Sequence, residues 1–144
     1  MELSKETAFA GIVAIEYCLT LTWMGIRVGA ARRKYGVSYP TLYARVGDGN
    51  IKDEKQATEY NCVQRGHQNT VENSPTFLIL LLLASIGFPT YAAVAGQVWV
   101  LSRIAYFLGY CTGDPKRRNR GTFGYLGLIS LLVLAVTTCV KPFL

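Results

Sequence analysis

Four polar side chains recur at helical spacing near the middle of the chain. At about 100° per residue, Asn61, Arg65, Asn69 and Glu72 fall within one narrow arc of a helix. A guanidinium can hold a carboxylate in a two-pronged bond, a glutamate can hold an ammonium group, and an asparagine can bond a peptide-like amide. The pattern therefore predicts a cleft for a zwitterionic ligand. The alternative is an Arg65–Glu72 salt bridge with amides that hold helices together.

A second polar stripe lies further along the chain. Arg103, Tyr106 and Tyr110 stand at positions i, i+3 and i+7, which is one face of a helix. Two phenols beside an arginine favour the lining of a cleft, whereas an aromatic belt at a membrane surface is the alternative. His67 points almost opposite the Arg65–Glu72 stripe, so no catalytic role is assigned to it.

A basic run follows the second stripe. Four of the five residues from Lys116 to Arg120 are cationic. The run borders an apolar stretch, where the excess of positive charge in cytoplasmic loops of membrane proteins explains it. No RNA-binding aromatic signature or helix-turn-helix pattern accompanies it, so we predict no nucleic-acid partner.

Long apolar stretches must position these residues. The chain has 144 residues, of which 51% are hydrophobic and only 17% are charged, whereas about 25% charged residues is usual in a soluble domain. About 20 mostly apolar residues cross a bilayer, and four such stretches occur. We predict one all-α domain over residues 1–144, an integral membrane four-helix bundle with helices at about 8–33, 60–87, 90–111 and 121–141.

Positive charge predicts the orientation of the bundle. If all four helices span, the polar segments 30–60 and 112–121 lie on the same side of the membrane, and both are rich in Lys and Arg. That side is expected to face the cytosol.

The cysteines predict neither a metal centre nor a disulfide framework. Cys18, Cys62, Cys111 and Cys139 are widely spaced, no CxxC occurs, and the chain has one histidine. We expect reduced thiols and no metal.

Three segments resemble the MAPEG family, the membrane-associated proteins of eicosanoid and glutathione metabolism. Residues 61–72 (NCVQRGHQNTVE) with Pro75 are similar to its helix-two signature, and residues 103–115 (RIAYFLGYCTGDP) to its helix-three signature. Residues 31–35 with Tyr39-Pro40 resemble the end of its first helix. Within the family, the likeness is nearest to the type-3 microsomal glutathione S-transferases.

The resemblance implies a homotrimer in the endoplasmic reticulum membrane or the outer mitochondrial membrane. It implies that glutathione binds, as co-substrate, between neighbouring protomers at the cytosolic helix ends. One protomer is expected to contribute Arg65, Asn69, Glu72, Tyr106 and Tyr110, and its neighbour Arg32 and His67.

The resemblance also implies an arginine that activates the thiol of glutathione. Only the thiolate is a good nucleophile, and a nearby guanidinium favours it by charge and by hydrogen bonding. The spacing from Tyr110 fits Arg117 to one branch of the family and Arg118 to another. Arg118 is slightly preferred, because the Gly113-Asp114-Pro115 insertion resembles type 3.

The leading functional hypothesis is an enzyme that conjugates glutathione to lipophilic electrophiles and reduces lipid hydroperoxides with glutathione. The acceptor would enter from the membrane lipid. One alternative is a non-catalytic, lipid-presenting adaptor of the same family. Another is a small four-helix antiporter that uses Glu16, although we expect Glu16 to form a salt bridge with a buried arginine.

Overall fold

The fold is an antiparallel bundle of long helices. The structure is a computed structural model that describes residues 4–144. These residues form four α-helices and two short 3₁₀ helices. The α-helices are α1 (Lys5–Tyr35), α2 (Glu54–Gly87), α3 (Pro89–Tyr110) and α4 (Gly124–Val140); the 3₁₀ helices are Pro115–Gly121 and Lys141–Phe143.

Local chemistry sets the ends of the first two α-helices. The Ser4 side chain accepts a hydrogen bond from the Thr7 amide at the start of α1, and Gly36 ends that helix with a φ of 65°. Asp53 caps α2 by accepting from the Gln56 amide at 2.8 Å. This cap starts α2 at Glu54, whereas hydropathy placed its start near residue 60, because the first turns of the helix are polar.

The segment between α1 and α2 packs as a compact cap on the helix ends. Val37, Ala44 and Ile51 are buried in one apolar cluster with Tyr35 and Tyr60. The sequence indicated only a polar connection here, since apolar residues spaced irregularly in a charged loop give no periodic signal.

Two side chains pin the backbone of this cap. Arg32 donates to the Thr41 carbonyl at 2.8 Å. Asn61 bonds both backbone groups of Ala44, accepting from its amide at 2.8 Å and donating to its carbonyl at 2.9 Å. Asn61 therefore holds the cap, although it shares a helix face with Arg65 and Asn69.

The core lies where the helices meet, and apolar side chains also cover the outside. Tyr17, Phe77, Trp99 and Leu131 belong to one buried cluster contributed by all four α-helices. Large apolar residues remain exposed on the outer face, among them Ile15, Leu82 and Ile129. All four helices are long and apolar enough to cross a membrane.

Candidate functional site

A polar cavity opens at the end of the bundle where α2 begins and α3 ends. It has a volume of about 340 Å³ and lies between α2, α3, the 3₁₀ helix 115–121 and the start of α4. Residues from both predicted stripes meet here, although Asn61 and Glu72 are not part of the lining. Its lining includes Arg65, Asn69, Asn73, Trp99, Arg103, Tyr106, Tyr110, Arg118, Asn119 and Tyr125.

Where the cavity borders the 3₁₀ helix, an arginine is hydrogen-bonded to a tyrosine. Arg118 Nη1 donates to the Tyr110 hydroxyl at 3.0 Å. This hydrogen bond raises the pKa of the Arg118 guanidinium above its usual value, with a further contribution from charge interaction with Tyr110. Tyr106 packs edge-on against Tyr110 with ring centroids 5.1 Å apart. The cavity therefore has a permanently cationic group beside two phenols.

The neighbouring Arg117 lies outside the cavity lining. Its Nε is 3.6 Å from Asp114 Oδ2, and its side chain is 53% exposed. The sequence left Arg117 and Arg118 as alternatives, and the structure places Arg118 at the cavity and Arg117 on the outer surface.

Close packing of the 3₁₀ helix on α3 holds Arg118 in place. A Cβ added to Gly109 would overlap the backbone carbonyl of Arg117. Gly113, with a φ of 79°, makes the turn between α3 and the 3₁₀ helix. The two glycines thus bring the basic segment back over the end of α3.

Arg65 and Glu72 pair with each other along α2. Arg65 Nη1 donates to Glu72 Oε1 at 2.9 Å, and the two side chains are 39% and 45% exposed. This is the salt bridge that the sequence offered as the alternative to ligand binding. Both groups remain accessible, so a zwitterion can replace each partner with a group of the same charge.

Two residues beside this pair complete the middle of the cavity. Asn73 donates from its amide to the Asn69 backbone carbonyl at 2.8 Å. The Asn69 side-chain oxygen accepts from Arg103 Nη2 at 2.9 Å. Asn69 therefore lies in the cavity as predicted, with its carbonyl oxygen already bonded.

Arg103 is a cavity residue that the predicted glutathione set omitted. Its side chain is buried, donates to Thr70 Oγ1 at 2.8 Å, and lies over the Tyr106 ring with Cζ 3.9 Å from the centroid. The signal was present, since Arg103 shares a helix face with Tyr106 and Tyr110. Trp99, Asn119 and Tyr125 also line the cavity, and no spacing pattern in the sequence marks them.

His67 and Arg32 lie away from the cavity of their own chain. His67 Nε2 lies 3.8 Å from the position that a Cβ would take on Gly25 of α1. Arg32 is buried under the cap with its guanidinium 4.2 Å from the Tyr39 ring centroid. Neither residue reaches Arg65, Tyr110 or Arg118 within one protomer.

Glu16 does not form the expected salt bridge. Within residues 4–144 it pairs with no arginine. It lines a shallow groove between α1 and α3 with Phe9 and Gln97, so the expectation of a buried arginine partner was wrong.

A second polar cavity of about 420 Å³ lies on the other side of α2. It is lined by Arg27, Lys34, Glu59 and Cys111, among others. Burial raises the pKa of the Cys111 thiol, although nearby Arg27 opposes part of this shift. This thiol is therefore a weak nucleophile at neutral pH.

A family model describes nearly the whole fold. The model of the MAPEG family matches residues 10–140. The chain belongs to the MAPEG family. The resemblance carried by the segments around Arg65 and Tyr110 is thereby confirmed.

Individual MAPEG relatives cover most of the chain. Microsomal glutathione S-transferase 2 of Homo sapiens is 32% identical, over 90% of this chain and 82% of its own. An uncharacterised protein of Synechocystis is 38% identical, over 77% of this chain and 73% of its own. Leukotriene C4 synthase of Bos taurus is 28% identical, over 80% of this chain and 69% of its own.

MAPEG membership and the four apolar helices together define a multi-pass membrane protein with an all-α fold. The likeness to the type-3 branch in particular stays a prediction.

Proposed function

We propose that this MAPEG protein is a membrane-bound glutathione transferase that conjugates glutathione to lipophilic electrophiles. The observation that carries the proposal is the Arg118–Tyr110 hydrogen bond in a cavity that is also lined by Arg65, whose guanidinium is paired with Glu72. One cavity thus combines a thiol-activating cation with a receptor for an amino-acid zwitterion. The relatives named as glutathione S-transferase and leukotriene C4 synthase support it.

The zwitterionic end of glutathione binds between Arg65 and Glu72. The ligand's α-carboxylate takes the place of Glu72 on the guanidinium of Arg65, and its ammonium group takes the place of Arg65 on the carboxylate of Glu72. Binding replaces the Arg65–Glu72 ion pair with two ion pairs between the protein and the ligand. Both charged side chains therefore remain paired.

Arg118 then stabilises the thiolate. Its charge and N–H groups favour the deprotonated sulfur, and Tyr106 and Tyr110 provide hydroxyl donors beside it. The thiolate attacks the electrophilic carbon of an acceptor that enters from the bilayer, forming the S–C bond as the leaving group departs or the double bond is saturated. Stabilising a charge that is present in the reactive state is the main catalytic effect available to these residues.

The same thiolate supports reduction of lipid hydroperoxides. Attack on the terminal peroxide oxygen breaks the O–O bond and gives a lipid alcohol and a glutathione sulfenic acid. A second glutathione condenses with that product, releasing water and glutathione disulfide. The two electrons come from two glutathione thiols, so the reaction needs no other reductant.

The complete site is proposed to form between protomers of a homotrimer in the endoplasmic reticulum membrane, with the outer mitochondrial membrane as the second possibility. The neighbour would supply Arg32 and His67, which lie away from the cavity of their own chain.

A thiolate titration tests the proposal. Purified protein in detergent is mixed with glutathione, and the ultraviolet absorbance of the thiolate is followed against pH, with calorimetry measuring binding. The proposal predicts saturable binding and thiolate formation below the pH range of the free thiol, whose pKa is about 8.5. Fatty-acid binding without glutathione binding would identify a lipid-presenting adaptor. Proton-coupled uptake into vesicles would identify an antiporter.

A further inference from the structure

The second polar cavity, on the other side of α2, carries three charged side chains. It has a volume of about 420 Å³ and is lined by Arg27 and Lys34 of α1 and by Glu59 of α2, with Cys111 and Thr112 at the end of α3. Two cations and one carboxylate give this Arg27 cavity one net positive charge. The proposed transferase reaction uses none of these residues.

The Arg27 cavity is separate from the site proposed for glutathione. At 100° per residue, Arg27 lies about 140° around α1 from Arg32, and Glu59 lies about 120° around α2 from Arg65. None of the residues that line the Arg27 cavity also lines the cavity that contains Arg118. The two cavities can therefore hold different ligands.

The depth of Arg27 in the membrane follows from the length of the apolar stretches. About 20 mostly apolar residues cross the hydrocarbon core, and counted from Ala8 such a stretch ends at Arg27. The same count from Pro89 ends at Leu108, so Thr112 lies about one helical turn further along the chain. The Arg27 cavity therefore lies at the level of the lipid headgroups, at the end of the bundle that is predicted to face the cytosol.

The guanidinium of Arg27 has no acidic partner within the described part of the chain. Among residues 4–144 it forms no ion pair, and the residue is exposed. Lipid phosphates are the anions that a membrane offers at this depth, and a guanidinium binds a phosphate through two parallel hydrogen bonds. Arg27 is thus placed to bind the phosphodiester of a phospholipid.

Glu59 provides an acceptor for a ligand cation in the same cavity. It accepts a hydrogen bond from the Tyr35 hydroxyl and lies 4.0 Å from Lys34 Nζ. A carboxylate has about four acceptor sites, so it can also accept hydrogen bonds from an ammonium group. The side chain of Lys34 is 68% exposed, so its ammonium group can pair with a second anion of the ligand.

We infer that the Arg27 cavity binds a phosphodiester headgroup that also carries an ammonium group and a carboxylate, which is the chemistry of phosphatidylserine in the cytosolic leaflet. Arg27 binds the phosphate, Glu59 the ammonium group and Lys34 the carboxylate. The headgroup has one net negative charge, which matches the one net positive charge of the cavity. Anionic lipids of this kind are concentrated in the cytoplasmic leaflet. The inference does not depend on the proposed transferase function.

Native mass spectrometry of the delipidated full-length protein in detergent tests the inference. The probes are phosphatidylserine, phosphatidylethanolamine and phosphatidylcholine with identical acyl chains. Wild type should bind phosphatidylserine about threefold more tightly than phosphatidylethanolamine, which lacks the carboxylate. It should bind phosphatidylethanolamine about threefold more tightly than phosphatidylcholine, whose trimethylammonium group has no N–H donor. Each factor is modest because the pairs are partly exposed.

Substitutions assign each part of the headgroup to one side chain. Arg27→Gln should weaken the binding of all three lipids about tenfold, because each contains the phosphodiester. Lys34→Gln should bind the serine and ethanolamine lipids within about twofold of each other, and Glu59→Gln should do so for the ethanolamine and choline lipids. Arg45→Gln is the matched control, since it removes an exposed arginine from the cap and should bind all three lipids normally.

A second ligand and a second readout complete the test. Calorimetry with O-phosphoserine should show much weaker binding than the lipid shows, since the acyl chains contribute to the lipid's affinity. Glutathione binding should be unchanged in Arg27→Gln, which also shows that this variant is folded. If a variant fails to fold, the three-lipid series on wild type still decides the matter.

Several results would overturn the assignment. They are equal binding of the serine and choline lipids by wild type, unchanged lipid binding in a folded Arg27→Gln, and an equal loss in Arg45→Gln, which would show general attraction to surface charge. O-Phosphoserine that binds as tightly as the lipid would assign the cavity to a soluble phosphate ester. Wild type that binds no glutathione but selects phosphatidylserine would overturn the proposed function and leave this inference standing.

Discussion

Arg118 donates a hydrogen bond to the Tyr110 hydroxyl across 3.0 Å, whereas the adjacent Arg117 faces Asp114 on the outside of the same turn. Adjacent residues of a 3₁₀ helix diverge by about 120° because the helix has three residues per turn. One of two consecutive arginines is therefore assigned to the cavity, and the other to the surface.

The two arginines should respond differently to substitution. Arg118→Ala should bind glutathione but lose thiolate absorbance near neutral pH, and its conjugation rate should fall by about 10² or more. Arg117→Ala is the matched control and should lose little. The rate of Arg118→Ala should recover as the pH rises toward the pKa of the free thiol, because solvent then removes the proton.

The conjugation rate of wild type should not fall through deprotonation of the Arg118 guanidinium as the pH rises through the neutral and mildly alkaline range. The hydrogen bond to Tyr110 raises the pKa of Arg118, so its charge is present at every pH below that value. If Arg118→Ala and Arg117→Ala both keep full thiolate formation, other groups activate the thiol of glutathione.

Arg65→Ala should weaken glutathione binding. The substitution removes a charge-assisted bond, which is worth roughly 1.5–3 kcal/mol, so affinity should fall about tenfold or more in calorimetry. Arg45→Ala, which removes an exposed arginine from the cap, should bind normally. Unchanged affinity in a folded Arg65→Ala protein would remove Arg65 from the site.

Gly109→Ala should impair thiol activation without touching a ligand contact. A Cβ there overlaps the Arg117 carbonyl and must push the 3₁₀ helix away from α3, at a cost of about 1–3 kcal/mol. Gly11→Ala is the control, because a Cβ at Gly11 meets nothing within 4 Å. The unfolding temperature and the thiolate absorbance should fall in the first variant only, because Gly11→Ala replaces a glycine inside α1 with a better helix former. Normal thiolate formation in Gly109→Ala would show that this packing does not position Arg118.

Cys111 should react slowly with alkylating reagents at neutral pH. Burial raises the pKa of its thiol, so its thiolate fraction is below that of a free thiol until the pH exceeds the raised value. Lys52→Cys places a thiol at an exposed position of the cap and is the comparison. Peptide mass spectrometry after maleimide treatment should show that Cys111 is labelled more slowly than the introduced thiol at neutral pH. The two rates should converge at alkaline pH. Equal rates near neutral pH would contradict the burial argument.

The cap and the 3₁₀ helix should both face the cytosol, since both carry the positive excess. A glycosylation acceptor inserted between Gly47 and Asn50 should stay unmodified in microsomes, while one appended after Leu144 should be glycosylated. The reverse pattern of glycosylation would show that the cap faces the lumen and would contradict the predicted orientation.

One can predict the four helices, the two polar stripes and the family from the amino-acid sequence alone. Helical periodicity places Arg65 with Glu72, and Arg103 with Tyr106 and Tyr110, because side-chain direction repeats every 3.6 residues. The same periodicity put Asn61 on the ligand face, and it overlooked the capping by Asp53 that extends α2 to Glu54.

Tertiary structure decided which of these groups meet. Asn61 bonds to the backbone of the cap. Among residues 4–144, Glu16 forms no ion pair with an arginine, and the buried Arg103 forms none with an acidic side chain. Arg118 rather than Arg117 enters the cavity because Gly109 lets the 3₁₀ helix approach α3 in one register. Contacts between segments far apart in the chain depend on how the helices pack, and the spacing within any single segment carries no record of that packing.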